Sequence, residues 1–234
     1  MNLYTKPLSL IMVSTLFAGL IAFVQVQSSS AQPSGFVGLD KIPGANLLEK
    51  FLGNGNSNPS SASAPYLDID KAVIAKSSKE VQAVLQAHGH IPTNGEGGAF
   101  GYGLLTNQGL KAVMVSTTHK GVYDSEDQRN ANDARWHNHY VSLDTPIGGP
   151  CGTDPQVTAI TFQSPGQVVV NKDKAVMSNL PGKFTGTSPP PNEKPVTINP
   201  GTNVEKVVSF VLKPLSSGAV CVTDIHPADR VIKN

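Results

Sequence analysis

Charge is scarce in this sequence. Asp, Glu, Lys and Arg supply 15% of its 234 residues and balance to a formal +1, where ordinary globular chains carry about a quarter. No cluster of Lys and Arg is present to follow a phosphate backbone, which argues against nucleic acid as a partner. Cysteine is confined to Cys151 and Cys221, and neither lies near the N-terminus, so lipid attachment to an N-terminal cysteine is not available. Motifs that would fix a reaction are missing as well. There is no G-x-S-x-G nucleophile elbow. The acidic stretch Asp124-Ser125-Glu126-Asp127, with Asp133 beyond it, lacks the D-x-[DN]-x-[DN]-G order of a calcium loop and reads as a solvated loop. The glycines at 97, 98, 101 and 103 surround Phe100 and Tyr102 without the strand-then-helix context of a dinucleotide fingerprint. They fit close strand packing or a bulge instead.

One long apolar run is present, from Leu8 to Val24, preceded by Lys6 as the sole charge before Asp40. Small residues follow, with Ser29 and Ala31 at the −3 and −1 positions of a cleavage site. Positive start, apolar middle and small residues together describe a cleavable export signal over residues 1–31, with cleavage after Ala31. As a helix the run would cover about 26 Å at roughly 1.5 Å per residue, short of a hydrocarbon core of about 30 Å. Membrane attachment is therefore expected only if this segment is retained. Loss of Lys6 with the signal leaves 17 basic against 17 acidic residues. An exported chain meets an oxidising compartment, where Cys151 and Cys221 are expected to pair. Closing a loop of about 70 residues contributes roughly 4 kcal/mol through the entropy of the unfolded chain.

Gly and Pro number 22 and 18, a turn-rich composition that suits a β protein better than a helical bundle. Residues 32–65 read as a flexible linker, most plainly over GNGNSNPSSASA at 53–64, with a short amphipathic patch at Leu47, Leu48, Phe51 and Leu52. The folded domain is expected from 66 to 234. Its first element reads as a helix. Ser77 and Glu80 form an S-x-x-E capping box, Val81, Val84, Leu85 and His88 fall on one helical stripe, and Gly89 sits where a C-terminal cap belongs. Strands are predicted after it at 99–106, 111–118, 136–143, 157–162, 167–170, 174–177, 204–212 and 219–225. Asn107-Gln108-Gly109 closes the first two into a hairpin. The run Ser188-Pro189-Pro190-Pro191 cannot join a central strand and belongs to an exposed loop. The fold class that follows is mainly β: an antiparallel β-sandwich-like domain with one N-terminal α-helix.

The histidines carry what chemistry the sequence offers. His137 and His139 alternate with Trp136, Asn138 and Tyr140, so on a strand both imidazoles share one side, continued by Val141 and Leu143. Two such rings can converge on one ion, and imidazole suits zinc, copper, nickel and iron. His119, at a strand end one loop earlier, is the expected third ligand. Asp124 is the expected fourth, or else orients a ligating imidazole. Three histidines with an open position would bind or activate water, whereas four ligands would close the site. His226 stands near enough to a strand end to join such a cluster. His88-Gly89-His90 straddles the expected end of the helix, where the two rings need not share a direction. Cys221-x4-His226 lacks the following methionine of a blue-copper loop.

Three functional readings remain open at this level. The first is a secreted non-catalytic β-domain binding zinc or copper through His137, His139, His119 and Asp124. The second is a metal-free extracellular or envelope module that contacts an unknown protein or surface partner. The third is a metal-dependent hydrolase or redox enzyme.

Overall fold

The computed structural model describes residues 62–234. The export signal, its cleavage position and the Leu47–Leu52 patch lie outside these residues. Residues 62–67 form a turn closed by the Leu67 amide donating to the Ala64 carbonyl, 2.9 Å, and Ala62, Ala64 and Tyr66 pack on the core.

Strand β1 (Ile69–Lys76) turns directly into β2 (Glu80–Ala87), and the two pair antiparallel. The helix expected from Ser77 is thus corrected to a strand. Ser77 does cap, but caps a hairpin turn. Its hydroxyl accepts from the Lys79 and Glu80 amides at 3.1 and 3.0 Å, which are the bonds a helix N-terminus would have used. Burial along β2 alternates, with Val81, Ala83, Leu85 and Ala87 inside and Val84 41% exposed. The small alanines at 83 and 87 complete a period of two that the larger apolar residues alone disguise as a helical stripe.

The remaining strands are β3 (Phe100–Thr106), β4 (Val113–Thr118), β5 (His137–Asp144), β6 (Gln156–Ile160), β7 (Gln167–Asn171), β8 (Lys174–Pro181), β9 (Phe184–Thr187), β10 (Pro195–Ile198), β11 (Val204–Pro214), β12 (Val220–Pro227) and β13 (Arg230–Lys233). Five of them make a sheet in the order β13-β1-β2-β8-β7, in which β13 runs parallel to β1. Six others close into a barrel, β11-β12-β6-β5-β4-β3, and β9 and β10 form a separate hairpin. The sandwich expectation is corrected accordingly: the protein is mainly antiparallel β, as composition implies, but one layer closes on itself. The closing seam joins β3 to β11, pairing Leu104 with Val207 and Tyr102 with Ser209.

Two apolar clusters follow from this arrangement. On β3, Phe100, Tyr102 and Leu104 face outward and pack with Met114, Tyr140 and the buried residues of β1, β2 and β8. Trp136 stacks on Tyr102 in this cluster, centroids 5.5 Å apart, and its indole N–H donates to the Pro92 carbonyl at 3.0 Å. The Tyr102 hydroxyl donates to the Tyr66 carbonyl at 2.6 Å, so this buried polar atom is satisfied. The alternate residues face the lumen, where Leu105, Val113, Val115, Val141, Val208, Phe210 and Val222 form the second cluster. Gly101 lies on the lumen side of β3, where an added Cβ would sit 2.3 Å from the Ser116 carbonyl oxygen. Only glycine lets β3 and β4 approach this closely. The lumen is not filled; it retains a cavity of about 260 Å³.

Cys151, in the loop before β6, forms a disulfide with Cys221 of β12. It ties that loop to the barrel wall beside the pairing of Cys221 with Gln156. Among the described residues no helix is long and apolar enough to cross a membrane.

Candidate metal centre

The barrel's hydrogen-bond register places the candidate ligands. Thr117 pairs with His137 and Val115 with His139 across β4 and β5. Strand alternation then directs Thr117, His137 and His139 to the same lumen-facing side. His119, two residues beyond Thr117, continues that side past the end of β4. The loop from 120 to 136 returns over this end and delivers Asp124.

His119, Asp124, His137 and His139 come together as expected, with one donor atom from each within 4.8 Å of all the others. Asp124 Oδ1 lies 3.2 Å from His119 Nε2, 3.5 Å from His137 Nε2 and 3.6 Å from His139 Nε2. His119 Nε2 and His137 Nε2 are 3.2 Å apart. The three rings are buried, and the Asp124 side chain is 16% exposed. Thr117 Oγ1 stands 3.2 Å from His137 Nε2.

Two backbone carbonyls fix the chemistry of the rings. His137 Nδ1 contacts the Arg135 carbonyl at 2.9 Å, and His139 Nδ1 contacts the Thr161 carbonyl at 2.7 Å. A carbonyl only accepts, so both Nδ1 atoms carry hydrogen, and each ring presents its Nε2 on the side of Asp124. Such carbonyl partners are characteristic of ligating imidazoles. Burial pushes the His137 imidazole below its ordinary pKa, with the neighbouring His139 and His119 adding to the effect against the opposing Asp124. Burial alone would raise the Asp124 carboxyl, but contacts with the three imidazoles outweigh it and hold the group well below the usual carboxylate range. The centre therefore sets one carboxylate oxygen among three imidazole nitrogens. Asp124 Oδ1 and His139 Nε2 are buried without a hydrogen-bond partner. Unpaired buried polar atoms are costly, and a shared cation would satisfy both.

A residue that sequence reading passes over holds Asp124 in place. Gln128 is buried, and its Oε1 accepts from the amides of Asp124 and Ser125 at 3.0 and 3.2 Å. Its Nε2 donates to the carbonyls of Val122 and Asp133, both at 3.2 Å. Glu126 anchors the same loop to the barrel, accepting from the Ser164 amide at 3.2 Å, while its own amide donates to the Phe162 carbonyl at 3.1 Å. The only signal in the sequence is a glutamine four residues after an aspartate, which is too common to single out.

Other sequence candidates go elsewhere. His226 pairs with Asp224 at 2.7 Å and is not a member of the cluster. His88 lies with Asp68 and Asp229 in a surface trio that does not include His90. Of the acidic stretch 124–127, only Asp124 joins the group that could hold a metal ion. No family model, curated protein or solved structure matches this chain.

Proposed function

We propose that this protein is a secreted, non-catalytic β-domain that binds one transition metal ion, zinc in the first instance and copper as the alternative, through His119, Asp124, His137 and His139. The observation that carries the reading is the mutual spacing of the four donor atoms. With zinc–nitrogen and zinc–oxygen bonds of about 2.0–2.1 Å, the edges of a tetrahedron measure roughly 3.3–3.4 Å. The four separations of 3.2, 3.5, 3.6 and 3.2 Å around Asp124 and between His119 and His137 straddle that value. Three imidazoles and a carboxylate are an acceptable zinc donor set. With Asp124 in the fourth position, the protein itself completes a four-coordinate shell, which favours holding the ion over activating water with it. Location outside the cytoplasm rests on the N-terminal sequence pattern, and the disulfide is compatible with it.

The test is elemental analysis of the exported, untagged protein after dialysis against a weak chelator. About one equivalent of zinc or copper is expected, absent from the His137→Ala/His139→Ala double variant. Metal-free protein whose melting is unmoved by added zinc, copper, nickel or iron would end this reading. The histidines would then be ordinary barrel residues, and a contact surface would be the better account.

A further inference from the structure

The barrel lumen is an apolar chamber with a polar end. Its walls are lined by Val113, Val115, Val141, Val157, Val208 and Val222, and a cavity of about 260 Å³ remains between them. Valine rather than leucine or phenylalanine at these positions leaves the middle of the barrel open. An engineered apolar cavity of about 150 Å³ already accepts benzene, so this lumen admits a larger body. At one end the wall is formed by Asp124 and His139, whose Oδ1 and Nε2 atoms are two of the three buried, unpartnered polar atoms of the histidine–aspartate cluster, His119 Nδ1 being the third. Val122 and Tyr123 line the same cavity and are 43% and 41% exposed. Residues that both line the cavity and meet solvent mark an entrance beside the Asp124 loop. The exposed Pro190, at the tip of the β9–β10 hairpin, lines the cavity too.

We infer that the lumen is a binding site for a small neutral organic molecule with an apolar body and at most one uncharged polar group, seated against Asp124 and His139. The lining chooses this class. It contains no Lys or Arg, and its one acidic group, Asp124, lies 3.2–3.6 Å from the three imidazoles. A carboxylate or phosphate ligand would enter without a counter-charge from the walls. An apolar body, by contrast, gains the dispersion contacts that an open chamber forgoes. The inference goes beyond metal binding, and its apolar part does not depend on it, because the valine walls are present with or without an ion.

The test uses 1-aminoanthracene, a rigid apolar fluorophore with a single uncharged amine, titrated into the full exported protein with and without chelator treatment. Saturable one-to-one binding is expected in at least one of the two preparations. Val141→Phe and Val157→Phe should each weaken it tenfold or more while keeping the wild-type far-ultraviolet spectrum; Val157 is only half-buried and tolerates the larger ring better. No saturable binding in either preparation, or undiminished binding by both folded variants, would overturn the inference. Xenon-pressurised wild-type crystals give a check that needs no variant. Xenon density within the lumen supports the site, and density confined to other places overturns it. Loss of zinc by the His137→Ala/His139→Ala variant, or failure of the wild type to take zinc, bears on the metal centre alone.

Discussion

Asp124 reaches the three imidazoles because a buried glutamine writes the course of its loop. Gln128 makes four hydrogen bonds to backbone groups on both sides of Asp124, so its side chain substitutes for the regular ladder that a loop lacks. Gln128→Leu keeps similar bulk and removes all four. The expected result is a 10–100-fold weaker zinc affinity, the usual scale for losing support behind a ligand. Competition against a chelating dye measures it. Unchanged affinity would mean that the loop is held by Glu126 and its contacts with Phe162 and Ser164 alone. The metal itself should stabilise the fold, since the donors converge only in the native state. At free zinc a hundredfold above Kd the gain is about 2.7 kcal/mol, or a rise of roughly 5–10 °C in Tm for a domain of this size. Differential scanning calorimetry with and without zinc reads that shift, and the His137→Ala/His139→Ala variant should not show it.

Among the elements, β2 separates two physical readings of one sequence. If it is a strand, Leu85 is core and Val84 is surface, as their burial indicates. Leu85→Ala should then cost about 2–5 kcal/mol, whereas Val84→Lys should stay within about 0.5 kcal/mol. A helix with Val81, Val84 and Leu85 on one stripe would be damaged by both. Urea unfolding of the two variants distinguishes the cases. The same element shows why local sequence can mislead. A Ser-x-x-Glu turn satisfies the same amides whether a helix or a hairpin follows. The decision is made by β1 and β8, which flank β2 and offer it hydrogen-bond partners on both edges. By contrast, β4 and β5 were legible because valines, threonines and the His-x-His alternation all repeat with a period of two. That period alone put His137 and His139 on one side, and a single connecting loop made His119 and Asp124 reasonable companions. The short strands β9, β10 and β13 left no comparable trace, since each is only four residues long. Barrel closure was illegible for a different reason. It depends on β3 meeting β11, segments about a hundred residues apart, and no local pattern encodes such a meeting. The aromatic outer face of β3 hints at it only in retrospect, being apolar because the five-stranded sheet covers it.

At the scale of the molecule, the Cys151–Cys221 bridge spans 70 residues of sequence, from the loop before β6 to β12. Replacing both cysteines by serine should lower stability by about 4 kcal/mol, the chain-entropy value for a loop of that length. Urea midpoints of the oxidised protein and the double variant measure it. A much smaller loss would indicate that the unfolded chain already holds these segments near one another. The pairing of β13 with β1 has a bearing on how the protein is made. Strand β13, Arg230–Lys233, lies parallel against β1, matching Lys71 to Arg230 and Ile74 to Lys233. A chain that leaves the ribosome or an export channel from its N-terminus forward must present β1 early, with one edge bare. That edge stays without its native partner until β13 has followed it. For that interval β1 is a sticky border awaiting a distant segment, so a chain stopped before Arg230 would emerge with the border still open.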